Sequence, residues 1–173
     1  MRKAIFLDRD GTINVDKDYL HTPEELEFLP GAREALGLLK AKGFLLIVIS
    51  NQSGVGRGYF PIEDVYRVNE RMNQMLEEDQ VAIEHFYICP HVEADHCHCR
   101  KPELGLYEAA IRDYDLDPTK CYLVGDKVSD ILASEKLQAG YGLVLSGHAI
   151  SKEAKSKYAG HIYQDLLEFA KSL

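Results

Sequence analysis

A chain of 173 residues with 46% hydrophobic and 28% charged side chains has room for one folded domain with its own core, and lacks the composition of a disordered segment. Its formal charge of -8 excludes nucleic acid as a general partner, because phosphate backbones select basic surfaces. The longest purely apolar run, Phe44 to Ile49, falls far short of the roughly 20 residues that cross a bilayer, and the basic start Met1-Arg2-Lys3 is followed only by Ala4 to Leu7 before Asp8, so no membrane association and a cytoplasmic location are expected.

Along the chain, short apolar runs alternate with helical patterns. Ala4–Leu7, Phe44–Ile49, His85–Ile88, Cys121–Val124 and Gly142–Leu145 have the length and the Ile, Val, Leu and aromatic content of buried parallel strands. A first helix opens after Pro30-Gly31 with Ala32, Ala35, Leu36 and Leu39, and Gly43 ends it. Val65, Val68, Met72 and Leu76 mark a second, and Leu106, Ala109, Ala110 and Ile111 a third. A fourth is expected from about Val128 to Leu137 and a fifth from Gln164 to Ser172. The alternation predicts an α/β fold over residues 1–173: five mainly parallel strands covered by helices on both faces, with ligands bound beyond the carboxyl ends of the strands.

The residues at those ends carry chemistry. Asp8-Arg9-Asp10-Gly11-Thr12 follows the first strand and Ser50-Asn51-Gln52-Ser53-Gly54 the second; Arg100-Lys101 closes the loop after the third, and Gly125-Asp126-Lys127 follows the fourth. Asp8 and Asp10, two residues apart on an extended segment, face the same side, and ending a buried strand in paired acids is costly unless a cation compensates. A hard divalent ion such as Mg²⁺ suits oxygen ligands of this kind. Taken alone, both aspartates also read as ordinary turn formers or caps; the matching serine, lysine and third aspartate favour chemistry.

A second constellation is Cys89-Pro90-His91, then five residues, then Cys97-His98-Cys99. Each pair places two side chains on one side of an extended segment, and a loop doubling back would assemble Cys89, His91, Cys97 and Cys99 as a four-coordinate Zn²⁺ site. Four protein ligands leave no open position, which assigns that zinc to structure; a redox pair or unliganded thiols are the other readings. The loop ends in Arg100-Lys101, so the zinc would also position the lysine.

Asp8-x-Asp10-Gly11-Thr12, Ser50, Lys101 and Gly125-Asp126 resemble, in order and over the whole chain, the four motifs of the haloacid dehalogenase superfamily. The resemblance implies a Rossmann-like sheet in the order 5-4-1-2-3 without a cap domain, and a phosphatase in which Asp8 is the nucleophile and Asp10 the general acid and base. Ser50 and Lys101 would bind phosphoryl oxygens, and Asp8, the Asp10 carbonyl and Asp126 would hold Mg²⁺. Asp130 is either a further partner of the metal site or a helix-start acid. The zinc loop narrows the resemblance to the zinc-containing branch, and there to phosphatases of a heptose bisphosphate or of histidinol phosphate, the first favoured. On that pattern Asp16, Lys17, Asp18 and Tyr19 form a flap over the sugar, Ser50, Asn51, Gln52 and Ser53 line the site, and Arg100 with Lys101 contacts substrate, Arg100 matching a second phosphate. Asp16 and Asp18 would instead suit the amine of histidinol phosphate. The five-residue gap in the zinc loop matches the histidinol-phosphate group. A small phosphorylated sugar is the expected partner and a monomer the expected state. The non-enzyme alternatives are a phosphate-accepting receiver domain, which needs neither Asp10 nor the zinc loop, and a zinc-stabilised binding protein.

Overall fold

In the computed structural model, which describes residues 1–173, the apolar runs become six strands: β1 (Ala4–Leu7), β2 (Leu45–Asn51), β3 (His85–Cys89), β4 (Tyr122–Gly125), β5 (Gly140–Val144) and β6 (Ile162–Tyr163). They form one sheet in the order β3-β2-β1-β4-β5-β6, and every pairing is parallel. The expected five-strand order lies intact within it. The added sixth strand pairs only Ile162 and Tyr163 with Leu143 and Val144, too short a segment to leave a run in the sequence.

Helices α1 (Ala32–Ala41), α2 (Ser53–Gly56), α3 (Ile62–Leu76), α4 (Gly105–Tyr114), α5 (Val128–Ile131), α6 (Ala133–Leu137), α7 (Lys152–Lys157) and α8 (Leu166–Ser172) complete the chain. The expected helix from Val128 to Leu137 is interrupted at Leu132 alone, where the backbone stays helical (φ -60°, ψ -31°). α2 and α7 were not anticipated. α7 buries only Ala154 and owes its start to Ser151, whose Oγ accepts from the Ala154 amide at 3.1 Å. No separate folded unit interrupts the connections after β1 or β3, where only short 3-10 turns occur.

Strand alternation divides the core in two. Ile5 and Leu7 face one way with Leu46, Val48 and Val144, and pack under α1, α3 and α8 through Leu36, Leu39, Val68, Met72 and Phe169. Ala4 and Phe6 face the other way with Ile47, Ile49 and Leu123, against Tyr107 and Ala110 of α4. Both faces of the sheet are therefore dry, and each fully buried Leu or Phe contributes roughly 1.5–3 kcal/mol. Because β2 and β4 flank β1 on opposite sides, the chain order reverses at β1, and a crevice opens beyond its carboxyl end. Asp8 and Asp126, the residues that follow β1 and β4, meet there.

Candidate active site

The Asp8 amide donates to the Val124 carbonyl at 2.9 Å, carrying the β1–β4 pairing one residue past the strand and fixing where the carboxylate begins. One carboxylate oxygen from each of Asp8, Asp126 and Asp130 can be chosen so that all three lie within 4.8 Å of one another. A single cation answers them: Lys101 Nζ lies 2.9 Å from Asp8 Oδ1 and 2.7 Å from Asp130 Oδ1, and donates to the Ile49 carbonyl at 2.6 Å. Burial disfavours the Lys101 charge, but Asp130 and Asp8 outweigh it and hold the ammonium firmly protonated. Burial, reinforced by Asp130 and Asp126 against the pull of Lys101, pushes the Asp8 carboxyl well above the usual carboxylate range. Asp130 Oδ2 also accepts from the Lys127 amide at 2.9 Å at the start of α5, the contact of a helix-start acid.

Asp126 is fully buried. Its Oδ2 accepts from the His148 amide at 2.9 Å, whereas its Oδ1 has no hydrogen-bond partner. A buried carboxylate oxygen without a donor is expensive. Two glycines let the backbone close around this side chain: a Cβ on Gly11 would fall 2.4 Å from Asp126 Oδ2, and one on Gly147 would fall 2.1 Å from it. Three acids, one lysine and an unpartnered oxygen leave the spot short of positive charge, and the oxygen donors suit a hard divalent cation.

Asp10 faces the same crevice, but its carboxylate takes no part in that group of three. It accepts from Arg9 Nη2 on both oxygens (3.2 and 3.1 Å), from Asn14 Nδ2 at 2.9 Å and from Gln52 Nε2 at 2.9 Å. Burial works to raise its pKa; the Arg9 guanidinium and the hydrogen bonds from Asn14 and Gln52 prevail and hold it below the usual carboxylate range.

Above these groups lies a cleft of about 650 Å³. Asp16, Asp18 and Tyr19 line it from the β1 side, Asn51, Gln52 and Ser53 from the β2 side, and Arg100 and Lys101 from the end of the β3 loop. Two expected contacts fall elsewhere. Lys17 is outside the lining and pairs with Glu27 at 2.7 Å, in a turn where the Asp18 amide donates to Asp16 Oδ1 at 3.0 Å and Asp18 and Tyr19 take positive φ. Ser50 is buried beneath the cleft, where its Oγ accepts from Gln52 Nε2 at 2.7 Å, so Gln52 screens it. Arg57, Glu93, Glu103, Lys127, Ser129 and His148 also line the cleft. The sequence reading singled out none of Glu93, Glu103, Ser129 and His148. Nothing in the local pattern around His148 marks it; the fold alone carries the β5 loop back to Asp126. Arg9 and Asn69 were missed as well: Arg9 stands in the strand-end segment Asp8–Thr12 without a role of its own there, and Asn69 lies in the middle of a helical pattern.

The Cys89, His91, Cys97 and Cys99 side chains converge. Cys89 Sγ lies 2.9 Å from Cys99 Sγ and 3.6 Å from Cys97 Sγ, and His91 Nδ1 lies 3.2 Å from Cys99 Sγ. Metal–sulfur bonds of about 2.3 Å at tetrahedral angles set sulfurs about 3.8 Å apart, so the cluster is slightly contracted relative to a zinc tetrahedron. All four cysteines of the chain are free thiols. Burial opposes ionisation at Cys97, yet the Arg100 amide, donating at 3.4 Å, and the neighbouring thiols pull that thiol down to about 6. Cys89 goes the other way, raised by burial and by its contact with Cys99. His98 sits between two members of the cluster and outside it, as expected.

A family model described as HAD-hydrolase-like matches residues 98–169. The chain is 42% identical over 166 residues to the D-glycero-beta-D-manno-heptose-1,7-bisphosphate 7-phosphatase of Haemophilus ducreyi, covering 90% of each protein. It is 37% identical over 151 residues to the D-glycero-alpha-D-manno-heptose-1,7-bisphosphate 7-phosphatase of Campylobacter jejuni, covering 87% of this chain and 86% of that one. The crystal structure of D,D-heptose 1,7-bisphosphate phosphatase from B. bronchiseptica, complexed with magnesium and phosphate, matches with a TM-score of 0.87 at 30% identity, over 99% of this chain and 97% of that one.

Proposed function

The chain belongs to the D-glycero-D-manno-heptose-1,7-bisphosphate 7-phosphatase family of HAD-like hydrolases, and from that premise we infer that it removes the 7-phosphate of the heptose bisphosphate through an aspartyl-phosphate on Asp8. The observation that carries the reading is Lys101 bridging Asp8 and Asp130 beside the unpartnered oxygen of Asp126. One Asp8 oxygen attacks phosphorus as the bond to the C7 oxygen breaks, and the bonding pair leaves with that oxygen. Asp10 gives it a proton, so a neutral alcohol departs. Water then attacks phosphorus, Asp10 takes a water proton, and the Asp8–phosphorus bond opens to release inorganic phosphate and restore the carboxylate. Asp10 rests ionised in the free protein. The negative charge of an arriving phosphate raises its affinity for the proton it must deliver.

Mg²⁺ held by Asp8, the Asp10 carbonyl and Asp126 would neutralise phosphoryl charge and keep Asp8 ionised. Lys101 supplies a fixed positive charge against phosphoryl oxygens, and Arg100 offers the planar fork that suits a second phosphate. Cys89, His91, Cys97 and Cys99 would hold a structural Zn²⁺ whose loop delivers Arg100 and Lys101 to the cleft.

Histidinol phosphate is the second reading, favoured by one observation: Asp16, Asp18, Glu93 and Glu103 give the cleft acidic walls that would suit an amine. A phosphate-release panel decides between them, with both anomers of heptose 1,7-bisphosphate and histidinol phosphate assayed with Mg²⁺ and with EDTA. Under the favoured reading, kcat/KM for one anomer exceeds that for histidinol phosphate by about tenfold or more, equivalent to about 1.4 kcal/mol in transition-state binding, and EDTA abolishes turnover. Preference for histidinol phosphate would replace the substrate assignment.

A further inference from the structure

Arg9 occupies an unusual place for a guanidinium. It is 1% exposed, lies between the two aspartates of the catalytic loop, and is absent from the lining of the cleft. It therefore cannot meet substrate as the protein stands. Its donors are spent on two partners: Nη2 straddles both carboxylate oxygens of Asp10 (3.2 and 3.1 Å), and Nη1 donates to Asn69 Oδ1 at 2.8 Å. Asn69 is itself buried, in the middle of α3, sixty positions along the chain. The neighbouring buried positions of that helix, Val65, Val68, Met72 and Leu76, are apolar and packed in the interior.

Stability alone does not account for this arrangement. Taking a guanidinium out of water costs several kcal/mol, and apolar side chains of similar volume commonly serve a core as well as or better than a buried ion pair. What the pair provides is geometric. A planar fork on both oxygens fixes the plane of the Asp10 carboxyl, and Asn69 fixes the fork. Asn14 and Gln52 each hold one oxygen; Arg9 is the contact that ties Asp10 to α3.

We propose that Arg9 and Asn69 are positioning residues: α3, through Asn69, sets the Arg9 guanidinium, which in turn orients the Asp10 carboxyl for proton transfer to the departing sugar oxygen. The inference rests on Asp10 being the proton donor of the proposed reaction. It predicts a loss that depends on the leaving group. A sugar alkoxide needs the proton as the P–O bond breaks, whereas the phenolate of 4-nitrophenyl phosphate departs without it. Misplacing the acid therefore slows alcohol release from the first substrate and spares phenolate release from the second, whereas hydrolysis of the aspartyl-phosphate, in which Asp10 is the base, is common to both and slows equally.

The test compares the single-turnover rate of leaving-group release from heptose 1,7-bisphosphate and from 4-nitrophenyl phosphate in the parent, Asn69→Leu, Asn69→Asp and Arg9→Lys, with Asp10→Asn as the reference for a missing acid. Asn69→Leu and Arg9→Lys should lower that rate for the sugar phosphate by about tenfold, part of the roughly 10²–10⁴-fold that a placed acid supplies, and leave phenolate release from the aryl phosphate within about twofold of the parent. Asn69→Asp keeps an acceptor for Arg9 and should keep the parental ratio. If Asn69→Leu folds poorly by circular dichroism, Asn69→Ala, which leaves room for a water beside the guanidinium, takes its place. Equal losses on both substrates, or no loss on either, would overturn the positioning role. If Asp10→Asn shows no dependence on the leaving group, the acid assignment itself fails; if it does while Asn69→Leu keeps the parental ratio, only the positioning role does.

Discussion

Lys101 sits among three acids and is the only ammonium within reach of Asp8 and Asp130. Replacing Asp8 by Asn removes a charge whose ionised form is disfavoured by burial and by Asp130, so the substitution relieves repulsion rather than opening a cavity. Asp8→Asn should abolish phosphate release, a loss on the order of 10⁴–10⁶ in kcat typical of a missing nucleophile. The melting temperature measured in EDTA should stay level or rise. Near-normal turnover in that variant would exclude Asp8 as the nucleophile. Asp8, Asp10, Asp126 and Lys101 were legible because strand-end residues of a parallel sheet converge by topology alone. The Arg9–Asn69 contact and the His148 amide on Asp126 were not, because no local pattern records which distant helix or loop will lie alongside.

The connection from β3 to α4 carries both the thiol cluster and the Arg100-Lys101 pair, so its order and the chemistry of the cleft are coupled. It is held from within by the side chains of Cys89, His91, Cys97 and Cys99, and from outside by Asn51, whose Oδ1 accepts from the Lys101 amide at 2.9 Å. Stripping zinc should therefore raise KM several-fold, on the scale of one weakened phosphate contact, while far-UV circular dichroism stays unchanged; an unaltered KM in a preparation shown to be zinc-free would break the link. In that zinc-free protein Cys97 should alkylate first, ahead of buried Cys89. A depressed thiol pKa means that the reactive thiolate is present above about 6 and lost below it, so the iodoacetamide rate at Cys97 should fall by half near that pH. Peptide mapping that found Cys89 or Cys99 modified first would refute this order. At the same scale, the elements missed were β6 with two residues, α2 with four, and α7, which buries only Ala154 and so has no apolar stripe to show in the sequence.

Across the whole molecule, one sheet separates a larger core under α1, α3 and α8 from a smaller one under α4, and the cleft opens where the strand order reverses. The large apolar side chains left exposed are Met1, Tyr19, Tyr59, Tyr66, Leu132 and Leu173, of which Tyr19 packs edge-on against Tyr59 beside the cleft. A formal charge of -8 favours separate copies. Sedimentation velocity should give one species near 19.5 kDa; a dimer at micromolar concentration would contradict that. No helix is long and apolar enough to cross a membrane. The phosphatase relatives set aside the receiver and binding-protein alternatives. By itself, the sequence determined the parallel sheet and the gathering of acids with one lysine at its carboxyl edge, because alternating strands and helices with right-handed crossovers admit few arrangements, while the strand order came from the motif resemblance. Only the tertiary structure decided that Asp10 is held by Arg9, which Asn69 of α3 holds in turn, and that Asp126 keeps one oxygen without a partner, because each depends on packing between segments far apart in the chain.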